Sequence, residues 1–523
     1  MRSTTTCIMV WRMIAQRRNR QAAFALSPHA RGISPIPLFA TILVALSLLS
    51  PTLSADWPQF RGPNGSGVAT GGPPPVDFGP NKNRLWRTPL ASGHSSPCIV
   101  GDSIFVTVLD QESESLSVIC IARRDGTIRW RRDVPTTEIE TGHPSFNPAS
   151  STPASDGQRV VAYFGSFGLV CFDMHGKELW QRKMPLAKSY AGNAASPIIT
   201  GDQVILYRGN YVDHYLLAVD KRTGAELWNV PQEEKFTTDM SCTGMPIVAD
   251  NKLIIHSARS VQAFDLATGN RLWLANCKTT ATSTPILVGD EVVVATWNQT
   301  GEESLTPTYP DFDELVQQND KNGDQTITVD EFPKLMVFHR SEGTDAPQNG
   351  FPLRFAMVDS DDDKTLSRDE WSVWRKKDNQ RRKTYVPHGL IAIDVNSHGT
   401  IPPSEIRYLA RDGIPEVPSP IHHGEHVYFV KNGGILTTVN HQTGQRISRI
   451  RTKGRGTHYA SPIIAGDLLF CTAGDGTMTV LQLGPTPKVL AVNKIGERIY
   501  ATPAIVDGTL YVRTHKSLMA FGL

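Results

Sequence analysis

Two twelve-residue segments carry a spacing of oxygen-bearing side chains that can do chemistry. The first places Asp320, Asn322, Asp324, Thr326, Thr328 and Glu331 at positions 1, 3, 5, 7, 9 and 12. The second places Asp359, Asp361, Asp363, Thr365, Ser367 and Glu370 at the same positions, 39 residues further on. Calcium takes about six to eight hard oxygen ligands in a flexible cage. Side-chain oxygens at 1, 3 and 5, a backbone carbonyl at 7, a water-bridging hydroxyl at 9 and a two-oxygen carboxylate at 12 supply that set. The spacing therefore implies Ca2+ as cofactor.

Such loops need elements that hold their ends. Residues 311–316 and 353–358 read as helices entering the loops. Glu331-Phe332 and Glu370-Trp371-Ser372-Val373-Trp374 read as helices leaving them. Pro333 would fall in the first turn of its helix, where a lost N–H costs little. Ile327 and Leu366, each at position 8, are expected to pair in a short bridge. The pattern matches an EF-hand pair, with one departure. Position 6 is normally Gly and here is Gln325 or Lys364. A non-Gly residue at positive φ costs about 1–2 kcal/mol, which weakens the sites. Extracellular calcium modules work at about 10⁻⁴–10⁻³ M, so weak sites suffice there.

The rest of the chain repeats itself. Pro97, Pro153, Pro197, Pro246, Pro285, Pro420, Pro462 and Pro503 each follow Ser, Thr or, once, Met, and each opens a short apolar run, most often with a Gly or Asp turn and a second apolar run behind it. They lie 39–56 residues apart, except for a gap of 135 after Pro285. A period of roughly 40–50 residues with four strands per unit predicts an all-β, eight-bladed β-propeller. The long gap marks the insertion, between a second strand ending near Asn298 and a third starting at Leu390. The expected organisation is a signal peptide over 1–55, an irregular lead-in over 56–83 anchored by Trp57 and Phe60, blades over 84–298, the inserted helical EF-hand pair over 299–387 and further blades over 388–523. The basic run 375–383 reads as a solvated linker. Leu85-Trp86-Arg87 reads as the outer strand of a blade completed by the C-terminus, which closes the ring.

The sharpest repeat joins third and fourth strands. Residues 218–228 and 263–273 agree at Ala, Asp, Thr, Gly, Leu and Trp, with weaker copies at 171–180 and 121–130. Asp-x-x-Thr-Gly makes a tight turn, since Asp accepts from nearby N–H groups and Gly supplies positive φ. The Trp that follows reads as core between blades. This pattern resembles that of the quinoprotein alcohol dehydrogenase-like propellers, the fold shared by PQQ-dependent dehydrogenases and the outer-membrane assembly lipoprotein of the β-barrel machinery. The resemblance covers roughly 84–298 and 388–523. It implies the fold more firmly than an activity, because such propellers are often non-catalytic.

Formal net charge is +2 and charged residues are 20%, so no strong field attracts nucleic acid. The segment 37–49 is apolar, is preceded by Arg12, Arg17, Arg18, Arg20 and Arg31, and is followed by small residues ending at Ala55. This order reads as a cleavable secretory signal cut near Ala55, and as a periplasmic or secreted protein with no transmembrane segment in the mature chain. Met9 and Met13 are alternative starts. Of seven Cys, Cys7 falls in that segment. Cys98, Cys120, Cys171 and Cys471 sit in strand-like runs and read as buried thiols; no C-x-x-C pair occurs.

Loops that lead into the inner strands bring His94, His143, Asn147, Tyr190, Asn193, Asp239, His458, Tyr459 and Tyr500 towards the mouth of a central channel. His94, Asn147, Tyr190, His458, Tyr459 and Tyr500 are the candidate ligand-binding residues. Enzymes of the resembling group hold PQQ there, with adjacent Cys residues, an Asp base and a Glu/Asn pair on calcium. This chain has no adjacent Cys pair, and no local motif assigns the others. The reading is a calcium-binding propeller acting as a non-catalytic scaffold or a module that binds an unknown protein or small molecule. The alternative is a PQQ-dependent oxidoreductase of the alcohol or sugar dehydrogenase type.

Overall fold

The computed structural model describes residues 56–237, 240–277, 279–298, 307–339, 350–383 and 388–523. The chain divides into Met1–Leu53 and Ser54–Leu523, and everything below concerns the second unit. The segment read as a signal peptide, with Ala55, lies outside the described residues, as do Asp239 and residues 299–306.

Eight antiparallel sheets follow one another as blades. Blade 1 is typical: Cys98–Val100 inside, then Ser103–Asp110, Ser115–Ala122 and Ile128–Val134 outermost. The second and third strands are buried almost throughout, because neighbouring blades cover both faces. Their sequences are accordingly continuous apolar runs. The outer strand, Ile128–Val134, buries only Trp130 and Val134. Blade 8 takes three strands from Ala504–Phe521 and its outer strand from Arg84–Pro89, so the chain ends close the ring. Two blades gain a short fifth strand. Val68–Ala69 runs parallel to Ile463–Ala465, and Gly399–Ile401 parallel to Arg271–Asn276.

Two repeated contacts join the blades. On the outside, the Trp of one blade docks on the turn of the next. Trp86, Trp130, Trp180 and Trp273 donate Nε1–H to the carbonyls of Arg123, Met174, Lys221 and Val395. Trp180 lies flat on Gly224 and Trp228 on Gly269, where a Cβ would stand 2.7 and 2.8 Å from the indole. Those glycines also need φ of +71° and +73°, so the turn admits no side chain on either ground. Asp220 and Asp265 hold the turns by accepting from Thr223 and Thr268.

On the inside, at six of the eight Pro the preceding residue donates its N–H to the hydroxyl at the same position in the next blade. The links run from Ser96 to Thr152, Thr152 to Ser196, Met245 to Thr284, Thr284 to Ser419, Ser419 to Ser461 and Ser461 to Thr502, all at 2.9–3.0 Å. Met245 interrupts the girdle, since it offers Ser196 no hydroxyl. Pro can start each strand because its fixed φ is extended and no neighbouring strand needs its N–H.

The lead-in closes one end of the channel. Trp57 pairs with Ile99, Asn64 bonds Val248 in both directions, and Val68–Ala69 reaches blade 7. Arg61 is fully buried and gives its guanidinium to the carbonyls of Gly65, Ser66, Ser419 and Pro420. The propeller is therefore a cup and not an open channel.

The insertion leaves blade 5 between Glu291–Ala295 and Leu390–Asp394, whose ends Ala295 and Leu390 are cross-strand partners. Its described part is less helical than the sequence suggests. Helix α1 spans Phe312–Asn319, capped by Asp311, and helix α2 spans Arg368–Lys383. No helix follows Glu331; the chain turns and forms the strand Met336–His339, paired with Gly350–Pro352. Pro333 and the run Met336-Val337-Phe338 favour extension over a second helix. The element before the second loop is one 3-10 turn, Phe355–Met357. The basic run 375–383 is the second half of α2 and not a linker; it holds no Gly or Pro and is rich in helix formers. Phe312, Leu315, Ile327, Val337, Leu353, Val358, Leu366 and Trp371 give the insertion its own core.

The girdle predicts a specific cost. Thr284→Val keeps the shape but leaves the Met245 N–H unpaired. Urea unfolding is expected to show a loss of about 1–3 kcal/mol, against less than half of that for Thr223→Val at an exposed turn.

Candidate functional site

The cup encloses a cavity of about 300 Å³. Its floor is Phe60 from the lead-in together with girdle hydroxyls, among them Ser96, Thr152, Ser196 and Ser461. Its wall is aromatic and polar. His94, Tyr459 and Tyr500 come from the loops into blades 1, 7 and 8, His143, Phe146 and Tyr190 from those into blades 2 and 3, and Trp297 and Glu416 from blades 5 and 6.

Four of the six candidate ligand residues thus meet at one cavity: His94, Tyr190, Tyr459 and Tyr500. The other two do not line it. Asn147 is buried, donates to the Ser92 hydroxyl and accepts from the Ala149 N–H. His458 is buried and bonds the Gly456 carbonyl and the Asn432 side chain. Asn193 likewise turns inward, accepting from the Ala195 N–H in its own loop and donating to the Gly209 carbonyl at the end of the second strand of blade 3. Short polar side chains in a tight loop satisfy the loop first. The sequence reading missed Trp297, Phe146, Glu416 and the girdle hydroxyls. The Ser/Thr before each Pro was visible as a repeat, but its sharing of one floor is a property of the closed ring.

The rim is built from ring contacts. His94 meets Tyr500 and His515 edge-on at 5.0 and 4.7 Å, and Tyr500 meets Tyr459 at 4.9 Å. Burial, then His515 and Arg513, push the His94 imidazole down to about 3. It is a neutral hydrogen-bonding group at neutral pH. On the far side His143 faces Tyr190 at 5.6 Å, and Tyr190 is 60% exposed. Three residues before His143 in the chain, Glu140 is buried and packed so closely on Gly165 that a Cβ there would collide with the carboxylate. Burial pushes Glu140 up to about 8, although Arg208 and the backbone of Asn193 and Gly165 pull the other way.

The two acidic loops are framed alike. Asp320 and Asp359 accept the N–H of Gln325 and Lys364 at 2.9 and 3.1 Å. Asp324 and Asp363 accept both N–H and hydroxyl from Thr326 and Thr365. Glu331 takes N–H groups from Lys321 and Thr328, and Glu370 takes them from Ser360 and Ser367. Partial burial raises the Glu370 carboxylate, but the bonds from Ser367 and Ser360 outweigh this and hold it at about 2. Gln325 and Lys364 stand at φ +64° and +72°, the positions where a Gly would be free of strain. Ile327 pairs with Leu366 between the loops. Carboxylate oxygens of Asp359, Asp361 and Asp363 lie within 4.8 Å of one another, and Asp359 Oδ1 is buried with no hydrogen-bond partner.

Eight four-stranded blades in one ring, several of them latched by a Trp on the turn of the next blade, define an eight-bladed β-propeller. A family model described as "Outer membrane protein assembly factor BamB" matches residues 77–306. Among solved structures the chain is similar to a europium-containing methanol dehydrogenase, at 11% identity, TM-score 0.50, 90% of this chain and 98% of that one. It is also similar to a quinohemoprotein alcohol dehydrogenase from Comamonas testosteroni, at 13% identity, TM-score 0.50, 89% of this chain and 80% of that one. BamB from Moraxella catarrhalis aligns at 12% identity and TM-score 0.49, over 84% of this chain and 98% of that one. Identities this low show the fold alone. No curated protein matches the chain.

Glu140 generates a pH prediction. The folded protein keeps this proton up to about pH 8, whereas the unfolded chain loses it near 4.5. The folded state therefore binds more protons between those values, and its contribution to stability falls as pH rises through the window. Glu140→Gln is expected to remove this fall. Melting temperatures of the two proteins, taken from pH 5 to 8, should diverge in favour of the variant towards pH 8.

Proposed function

We propose that this chain is a non-catalytic, calcium-binding propeller whose cup holds a ligand or a partner's side chain, with an EF-hand-like pair inserted at the rim. The observation that carries the calcium reading is the frame the two loops have in common, together with the unpartnered Asp359 Oδ1 in the second. A carboxylate oxygen buried without a donor costs free energy unless a cation meets it. Asp320, Asn322, Asp324, Glu331, Asp359, Asp361, Asp363 and Glu370 would give side-chain oxygens, Thr326 and Thr365 carbonyls, and Thr328 and Ser367 water-bridging hydroxyls.

The cup supports binding over redox chemistry. PQQ is a tricarboxylate, and the described lining residues offer it no Lys or Arg, while Glu416 would oppose it. Hydroxyls, neutral imidazole and aromatic faces suit an uncharged polar ligand such as a sugar or a peptide. The family description, an assembly factor, agrees with a protein-binding role. No helix among the described residues is long and apolar enough to cross a membrane, and we read the chain as exported through its N-terminal segment to the periplasm or beyond.

Calorimetry on the full chain is expected to show two calcium ions bound, with Glu331→Gln and Glu370→Gln each removing one. Absence of heat at millimolar calcium would refute the reading. For the cup, a thermal-shift screen of sugars and peptides should yield a ligand whose binding is lost in Tyr459→Ala and Tyr190→Ala with the melting temperature unchanged. Dye-linked alcohol oxidation by protein reconstituted with PQQ and calcium would instead establish an enzyme.

A further inference from the structure

On the face opposite the cup mouth, blade 6 turns between Ile421–His423 and His426–Lys431. This hairpin carries His422, His423 and His426 around Gly424 and Glu425. His423 and His426 are cross-strand partners. A fourth imidazole, His441, follows the third strand of the same blade and is tied to the hairpin by its N–H on the Glu425 carbonyl at 3.0 Å.

The rings of His422 and His441 meet edge to face, with centroids 5.4 Å apart. Nε2 of His422 and Nδ1 of His441 are both shut off from solvent, and neither has a hydrogen-bond partner in the protein. One such nitrogen costs about 1–3 kcal/mol, and two on touching rings are rare unless something bridges them. A neutral imidazole carries one ring nitrogen with a free lone pair, and that nitrogen can ligate a metal ion. Arg407 reaches the carbonyls of His441 and Gln442, but Glu291 pairs with the same guanidinium and offsets its charge.

We infer that this hairpin binds a borderline divalent transition-metal ion of the zinc or copper class, with His422 Nε2 and His441 Nδ1 as its two protein ligands and water completing the shell. Imidazole nitrogen selects such ions over calcium, whose ligands are oxygens. The site is therefore chemically separate from the acidic loops of the insertion.

The test uses the metal-free full chain titrated with Zn2+, and with Cu2+ under electron paramagnetic resonance. Zinc is expected to bind, and the copper spectrum to show nitrogen coupling from at least two imidazoles. The double variant His422→Gln/His441→Gln should weaken zinc binding by tenfold or more, with its melting temperature in chelator close to that of the parent. Asp320→Asn/Asp359→Asn should leave zinc affinity unchanged. Should the double variant fail to fold, His441→Ala alone and the copper spectrum of the parent decide. Unchanged zinc affinity in the histidine variants, a copper spectrum without nitrogen coupling, or loss on substituting His423 and His426 but not His422 and His441 would each overturn the assignment.

Discussion

The N–H of the residue before each inner-strand Pro points sideways, out of its own blade. In six places it ends on a Ser or Thr hydroxyl of the next blade. Buried N–H groups must be paired, so this requirement fixes each blade to its neighbour at the ring's narrowest circle. At the widest circle the Trp that docks on the following turn joins blade 8 to 1, 1 to 2, 2 to 3 and 4 to 5, so three of the girdle's blade pairs are held at both radii. Two contacts at different radii set the angle between blades, and the ring closes at eight. Cup, rim and insertion point all follow from that angle.

The girdle also decides the chemistry of the cup. Hydroxyls that accept from backbone remain on the cavity floor as neutral dipoles. Burial holds His94 uncharged and Glu140 protonated at neutral pH. Arg61 closes the floor from beneath but spends its donors on four carbonyls. Formal charge is thus kept mostly away from the cavity, with Glu416 as the exception. The acidic residues are concentrated instead in the insertion, whose core of Phe312, Leu315, Leu366 and Trp371 is separate from those of the blades. Cys98, Cys120, Cys171, Cys242, Cys277 and Cys471 are unpaired and buried, so the fold holds without disulfides among them.

The insertion shows where local reading stops. Spacing located both loops and the Ile327–Leu366 bridge, because ligand order and a two-residue bridge are short-range properties. It placed two of the four helical flanks, α1 and α2, and misjudged the other two. The helix expected after Glu331 gives way to a strand, and the one expected before the second loop shrinks to one 3-10 turn. Pro333 and Pro352 limit helix there, and a β-rich partner strand takes up the freed backbone.

By itself the sequence determined the period, the turn chemistry and the pairing of the two chain ends. Each depends on residue type at fixed offsets: Pro at a strand start, Gly at positive φ, alternating or continuous apolar runs. Only the closed ring decided which loop residues face the cavity. Tyr190, Tyr459, Tyr500 and His94 reach it, while Asn147 and His458, equally close to an inner strand, fold back on their own loops. Side-chain direction in an irregular loop is set by competition among nearby donors and acceptors, and those come from other blades. The same holds for His422 and His441, 19 residues apart in the chain, which touch because blade 6 brings its first hairpin beside its third strand.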